Sequence, residues 1–191
     1  MSSPSVGVPV DGCLRLPAKT PLYQAGARGT VWRVLEGVMR LDQEGPAGPR
    51  LAGLLLPDDL VGCEVATMGR YGGTAWALVP SLLMPWTPGA GPAATEVMLQ
   101  GLLRVQQRTG ELLALRSGLA EQRVSRLILM LAGPEATELV LPTLNDMADI
   151  NDLAMESVSR AMSRLRQLEA LTPLPRRHRF ALNRAALLRF A

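Results

Sequence analysis

Glycine and proline interrupt residues 13–87 at Gly26, Gly37, Gly45, Gly48, Pro57, Gly62, Gly72, Gly73 and Pro80. An interruption about every eight to twelve residues is the rhythm of short antiparallel strands joined by tight turns. The apolar runs between them, TVWRVLEGVMRL, RLAGLLLPDDLVG and GGTAWALVPSLLMPW, are too broken for long helices. They predict a barrel or sandwich. Hydrophobic residues make up 48% of the 191-residue chain but aromatics only 4%, so its core is built from Leu, Val, Ala and Met.

The segment PGAGPA at 88–93 punctuates a change of pattern. From 95 to about 117 the apolar residues Val97, Leu102, Val105, Leu112 and Leu115, followed by Leu119, fall near a helical period. Such a long stripe reads either as the seam of a coiled coil with a second copy or as a face packed on its own barrel. Gly101 and Gly110 weaken this helix by roughly 1 kcal/mol each relative to Ala, so they either permit a close approach or mark a looser helix. A second helix over 121–132 stops at Gly133-Pro134.

Residues 143–166, TLNDMADINDLAMESVSRAMSRLR, carry the chemistry. Thr143 and Asp146 form a capping-box pattern, with Asp in place of the usual Glu, ahead of a helix over 144–151. The turn is Asn151-Asp152-Leu153, with Asp152 suited to the left-handed conformation. A second helix over about 154–169 turns Val158, Met162, Leu165 and Leu168 inward. Its other side carries Glu156, Ser159 and Arg160, which share one face at i, i+3 and i+4. Arginine can bond the two acceptors of guanine, and glutamate can accept from the cytosine amine. A solvated amphipathic helix is the bland alternative. Two strand-like pieces flanking 173–179 then form a hairpin tipped by Arg176, Arg177, His178 and Arg179, and residues 185–190 close the chain with a short helix.

Charge favours the sharper reading. The net charge is +3, yet residues 152–191 hold eight arginines against Asp152, Glu156 and Glu169. The remainder is slightly acidic. A basic load confined to one end points to a polyanion, of which nucleic acid is the commonest.

Other classes are disfavoured. No apolar run reaches about 18 residues, so no membrane span or membrane partner is expected. MSSPSVGVPVDG lacks the basic and apolar regions of a secretory signal. Cys13 and Cys63 alone make neither a metal site nor a disulfide framework, and they fit a reducing cytoplasm. No phosphate loop, metal-ligand cluster or cysteine–histidine arrangement is evident, so no enzyme, metal or cofactor is expected.

Three further stretches, Pro21-Leu22-Tyr23-Gln24-Ala25-Gly26, Val34-Leu35-Glu36-Gly37-Val38 and Leu56-Pro57-Asp58-Asp59-Leu60-Val61-Gly62, together with Glu156-Ser157-Val158-Ser159-Arg160, resemble the Crp/Fnr family of bacterial transcription regulators. The resemblance runs from about Leu14 to Phe190. It implies an α+β fold: an antiparallel, cyclic-nucleotide-binding-like β-roll over 1–92, a dimerisation helix over 93–118, and a winged helix-turn-helix over 119–191. It also implies a homodimeric, sequence-specific DNA-binding regulator acting on a palindromic site, with RNA polymerase as a further partner. The base-reading residues would be Glu156, Ser159 and Arg160. Phosphate contacts would come from Thr143, Arg164, Arg176, Arg177 and Arg179. Val97, Leu102, Val105, Leu112 and Leu115 would line the dimer helix.

The departures from that family bear on regulation. Gly62-Cys63-Glu64 keeps the carboxylate of the cyclic-phosphate cassette one residue late, and Gly73-Thr74-Ala75 lacks its arginine. A phosphate without that partner forgoes roughly 1.5–3 kcal/mol per charged hydrogen bond, so ordinary cAMP binding is not expected. Two cysteines cannot hold an Fnr-type cluster, which needs four. The single His178, in the hairpin, is unsuited to haem. Two readings stay open for the roll: a pocket for another small effector near Glu64, Thr74, Arg108 and Thr109, or a filled core. Met155 either touches a thymine methyl or faces solvent. Ala154 stands where a Ser or Thr cap would add about 1 kcal/mol. The rival class is a ligand-binding signalling module without specific DNA recognition.

Overall fold

The computed structural model describes residues 9–10, 12–46, 48–87, 92–176 and 178–191. The chain divides into two compact units, residues 1–109 and 110–191.

Among the described residues the first unit holds nine strands and a single-turn helix: β1 (Pro9–Val10), β2 (Cys13–Leu16), β3 (Pro21–Tyr23), β4 (Val31–Glu36), β5 (Met39–Gly45), β6 (Gly48–Leu55), β7 (Leu60–Val61), α1 (Val65–Met68), β8 (Thr74–Ala77) and β9 (Ser81–Trp86). They pair antiparallel into a five-stranded sheet, β1-β2-β9-β4-β7, and a four-stranded sheet, β3-β8-β5-β6. The turns fall at the punctuating residues. Gly37, between β4 and β5, has φ 91°, and a Cβ there would run into Pro80 and Ser81. Alternation does the rest: in β8, Ala75 and Ala77 point inward and are fully buried while Trp76 lies on the other face. Leu14, Leu16, Val34, Met39, Leu55, Val61 and Leu83 fill the space with Tyr23 and Tyr71. On the outer face of the four-stranded sheet, Arg40 Nε donates to Asp42 Oδ1 (2.7 Å) and Trp76 Nε1 to Asp42 Oδ2 (2.7 Å), so this buried carboxylate is bonded at both oxygens.

Helix α2 (Pro92–Ala114) follows. The second unit contains α3 (Ala120–Ala132), β10 (Glu138–Val140), α4 (Leu144–Asn151), α5 (Met155–Gln167), β11 (Leu171–Pro173), β12 (Arg179–Leu182) and α6 (Arg184–Leu188). Val124, Leu127, Ile128 and Leu131 on α3 keep an i, i+3, i+4, i+7 spacing, and all are buried. They meet Met147 and Ile150 of α4 and Val158, Ala161, Met162 and Leu165 of α5 in one core. Gly133 ends α3 at φ 67°. The mixed helix and sheet content makes the fold α+β, as expected.

Three sequence expectations need correction. The strand β10 is not foreseen by pattern; its three residues carry no periodic signal, and pairing with β12 makes it a strand (Glu138↔Ala181, Val140↔Arg179). Leu168, assigned to the inner face of the second helix, caps that helix and is 39% exposed, because α5 ends at Gln167. Leu115, assigned to the long apolar stripe, lies one residue beyond α2 and is buried in the second unit. Among the described residues no helix is long and apolar enough to cross a membrane.

Candidate nucleic-acid interface

The helix pair is set by its caps. The Thr143 hydroxyl accepts from the Asp146 N–H (3.3 Å) and donates to Asp146 Oδ2 (2.6 Å), while Asp146 Oδ2 also accepts from Thr143 N–H (3.2 Å). That reciprocal box satisfies N–H groups that a helix start otherwise leaves open. Asp152 sits at φ 52°, ψ 52°, and its N–H returns to α4, so the chain reverses within three residues. Ala154 starts α5 from an extended backbone without a side-chain cap.

On α5 the inner face is closed and the outer face is open. Val158, Ala161, Met162 and Leu165 are buried; Glu156, Arg160 and Arg164 are exposed, and Ser159 is half-buried. Arg160 bonds its own helix through Nε, at 3.3 Å from the Glu156 carbonyl, so the side chain lies along the helix face it shares with Glu156. Met155 faces solvent at 44% exposure. A carboxylate and a guanidinium thus stand one turn apart on an exposed helix face, with Arg164 a turn further on. Acidic Glu156 in the first turn and Arg164 and Arg166 in the last also suit the helix dipole.

The hairpin β11–β12 pairs Leu171↔Leu182 and Pro173↔Phe180. Arg176 is exposed at its tip, and Arg177 lies outside the described residues. His178 adopts φ 60° there, and its carbonyl accepts from Leu141 N–H (2.8 Å). Arg179 is ion-paired with Glu138 across the sheet (2.8 Å), so part of its charge is already matched. Sequence reading missed three arginines that bond helix ends: Arg123, Arg126 and Arg184, the last donating to the Gly133 carbonyl at 2.6 Å. Their partners lie up to 51 residues away, a separation that no local pattern reports.

In the roll, the four expected pocket residues are bonded within the protein. Glu64 Oε1 accepts from Gly72 N–H (3.2 Å), and Thr74 Oγ1 accepts from Ala25 N–H (3.2 Å). Arg108 pairs with Asp59 (3.3 Å), and the Thr109 hydroxyl donates to its own helix at Val105 O (2.9 Å). Beside Glu64 the rings of Tyr23 and Tyr71 stack with centroids 3.5 Å apart and planes 3° apart. Tyr71 is 3% exposed, its hydroxyl donates to Thr30 O (2.7 Å), and its ring occupies the space a Cβ at Gly29 or Gly62 would need. Burial, then the Glu64 carboxylate, pushes the Tyr23 hydroxyl far above its ordinary value.

The same two causes, burial first and Glu64 second, raise the Cys63 thiol. A raised thiol holds less thiolate at neutral pH, and the thiolate is the nucleophile. In a Cys13→Ser background, alkylation of Cys63 at pH 7–8 is therefore expected to be slower in the folded chain than in urea. Its rate should also rise with pH through a higher midpoint. Equal rates in the two states would contradict this environment.

Along α2, Val97, Met98, Leu99, Leu102, Leu103, Val105 and Leu113 are all exposed, and Leu112 is half-buried. The face that carries Val97, Gly101 and Arg104 looks onto the roll. Arg104 donates to Asp58 O (3.1 Å), and Arg33 pairs with the Asp58 carboxylate (2.6 Å). These residues rim a cleft of about 110 Å³ with Leu60, Trp86 and Gly101. Neither helix glycine is demanded by space: a Cβ at Gly101 would sit in ordinary contact with Leu60, and one at Gly110 would meet nothing.

No family model matches the sequence, and no curated protein matches it. Solved structures do. A CRP-family transcriptional regulator from Thermus thermophilus shares 25% identity over 92% of this chain and 95% of its own, with a TM-score of 0.73. FixK2 from Bradyrhizobium japonicum shares 20% identity over 93% and 96%, also with a TM-score of 0.73. A second Thermus thermophilus protein, a regulator of the CRP/FNR family, shares 20% identity over 93% and 97%, with a TM-score of 0.63. The chain has the fold of the Crp/Fnr transcriptional regulators, and this likeness supports a regulator of the Crp/Fnr type.

Proposed function

We propose that this chain is a homodimeric, sequence-specific DNA-binding transcription regulator that works in the cytoplasm and needs no small effector. The carrying observation is the exposed Glu156–Arg160 pair on a helix whose opposite face is closed by Val158, Ala161, Met162 and Leu165. In the major groove Arg160 takes guanine O6 and N7, Glu156 takes the cytosine amine, and Ser159 meets a neighbouring base or phosphate. Arg164, Arg176, Arg177 and Arg179 contact phosphates and set register without selecting sequence. Thr143 adds a phosphate contact at the start of α4. The β11–β12 hairpin serves as the wing, and RNA polymerase is the partner that reads out binding. The division of labour is a roll over 1–92, a dimer helix over 93–118 and a DNA-binding domain over 119–191.

Two heads related by a two-fold axis read half-sites about 34 Å apart on a palindrome. Independence from an effector is supported by the stacked tyrosines beside Glu64, which take up interior volume that a ligand would need, and by the internal bonds of Glu64 and Thr74. The missing arginine at Gly73 argues in particular against cAMP.

The test is selection of binding sites from random duplex DNA with ligand-free protein at near-physiological salt. Enrichment of a two-fold symmetric site with a G·C pair in each half is expected. Arg160→Ala should then weaken binding by roughly 1–3 kcal/mol and relax the preference at that pair. Failure to enrich any site would overturn the reading. Unchanged selectivity in the variant would overturn the role of Arg160.

A further inference from the structure

Arg123 stands in the first turn of α3, half-buried, and its guanidinium bonds two separate segments. Nε donates to Leu115 O (2.9 Å), just past the end of α2. Nη2 donates to the carbonyls of Asn151 and, at 3.2 Å, Asp152, at the end of α4. Helix ends expose carbonyls with no partner inside the helix, and these carry the negative end of the helix dipole. A flat, permanently charged fork with five donors can serve two such ends together, which an ammonium on a flexible stem does poorly. Arg126 strengthens one side only, reaching Ser117 O (3.1 Å) and Ala114 O (3.5 Å).

The carbonyls of Asn151 and Asp152 belong to the turn that launches α5, and Glu156 follows four residues later. Buried apolar side chains already hold α3, α4 and α5 together. What Arg123 adds is a tie from that turn to the end of the long helix. We infer that Arg123 is a positioning residue for DNA reading: it fixes the reading helix against the end of α2, so that two heads of a dimer keep one separation. This rests on the dimeric DNA-binding reading above. Arg123 itself touches no base in this scheme, so its loss alters which half-site spacings are accepted rather than which bases are.

The experiment measures fluorescence anisotropy on four duplexes: the selected palindrome, the same site with its spacer lengthened by one and by two base pairs, and a single half-site. Half-site separation is a geometric constraint, so the full chain is expected to lose about tenfold or more in affinity on spacer change. R123Q is expected to lose only about threefold or less, with half-site affinity and base preference as in the parent chain. R123K, which keeps the charge but not the fork, should behave like R123Q, and it carries the test if R123Q does not fold by circular dichroism. Retention of the full spacer penalty by the variants would overturn the inference. So would a parallel fall in half-site affinity, which would place the effect inside one head. A parent chain that selects no site at all would instead overturn the DNA-binding reading, and this inference with it.

Discussion

Tyr71→Ala is expected to lower the stability of the first unit by about 3–5 kcal/mol, the range for deleting a buried aromatic ring. The ring is 3% exposed and stacked on Tyr23 at 3.5 Å, and the neighbouring Gly29 and Gly62 offer no side chain to refill the hole. The backbone on either side is fastened, with Tyr71 N–H donating to Ala27 O (2.9 Å) and Gly26 N–H to Tyr71 O (2.8 Å), so the site collapses poorly. Two milder variants separate the contributions. Tyr71→Phe keeps the stack and loses the hydroxyl's bond to Thr30 O and its hydrogen bond with the Trp32 side chain, about 1 kcal/mol each. Tyr23→Phe removes a buried hydroxyl that has no hydrogen-bond partner among the described residues, and is expected to be neutral or stabilising. Trp32, Trp76 and Trp86 all lie in the first unit, so tryptophan fluorescence in a urea titration follows this unit alone. A loss below about 1 kcal/mol for Tyr71→Ala would mean that the ring is not the plug described above.

The tyrosine plug also marks the limit of what the sequence discloses. Pattern reading reached the helix pair almost to the residue, because its signals are local: the Thr143–Asp146 box, the left-handed Asp152, and the i, i+4, i+7 burial of Val158, Met162 and Leu165. It also reached the strand rhythm of the roll, since glycine at φ 91° in Gly37 or φ 101° in Gly48 is a demand of the turn itself. It left the roll interior open between a pocket and a filled core. That question turns on whether Tyr71 points at Tyr23, a residue in a distant strand, and no periodicity encodes such a contact. The same reason hides Arg123 and the Glu138 partner of Arg179. Arg123 is one basic residue among many in the sequence, Arg179 reads there only as a phosphate contact, and the carbonyls and carboxylate that bond them come from distant segments. Leu115 fails in the opposite direction. Its spacing continues the apolar stripe, but α2 stops at Ala114, and the chain turns Leu115 into another core.

In the proposed homodimer, Leu102→Glu with Val105→Glu is expected to separate the two copies and to lower affinity for the proposed palindrome by about 10²–10⁴-fold, since the second head would lose its effective concentration at the neighbouring half-site. That corresponds to roughly 2.7–5.5 kcal/mol. Met98, Leu102, Val105 and Leu112 follow the four-three spacing of a coiled-coil seam, with Thr109 at the intervening position. Leu99, Leu103 and Leu113 widen the apolar face beside it. Leu102 and Val105 are 56% and 44% exposed in the single chain, a degree of apolar exposure on one helix face that marks a surface meant to be covered. Glutamate is a good helix former, so the substitutions leave α2 itself intact while placing like charges opposite one another across the two-fold axis. Sedimentation at the mass of one chain, 20.5 kDa, is the expected result, with half-site binding retained because no reading residue has changed. A double variant that still sediments as a dimer would move the self-association surface away from α2, and with it the geometry that sets half-site separation.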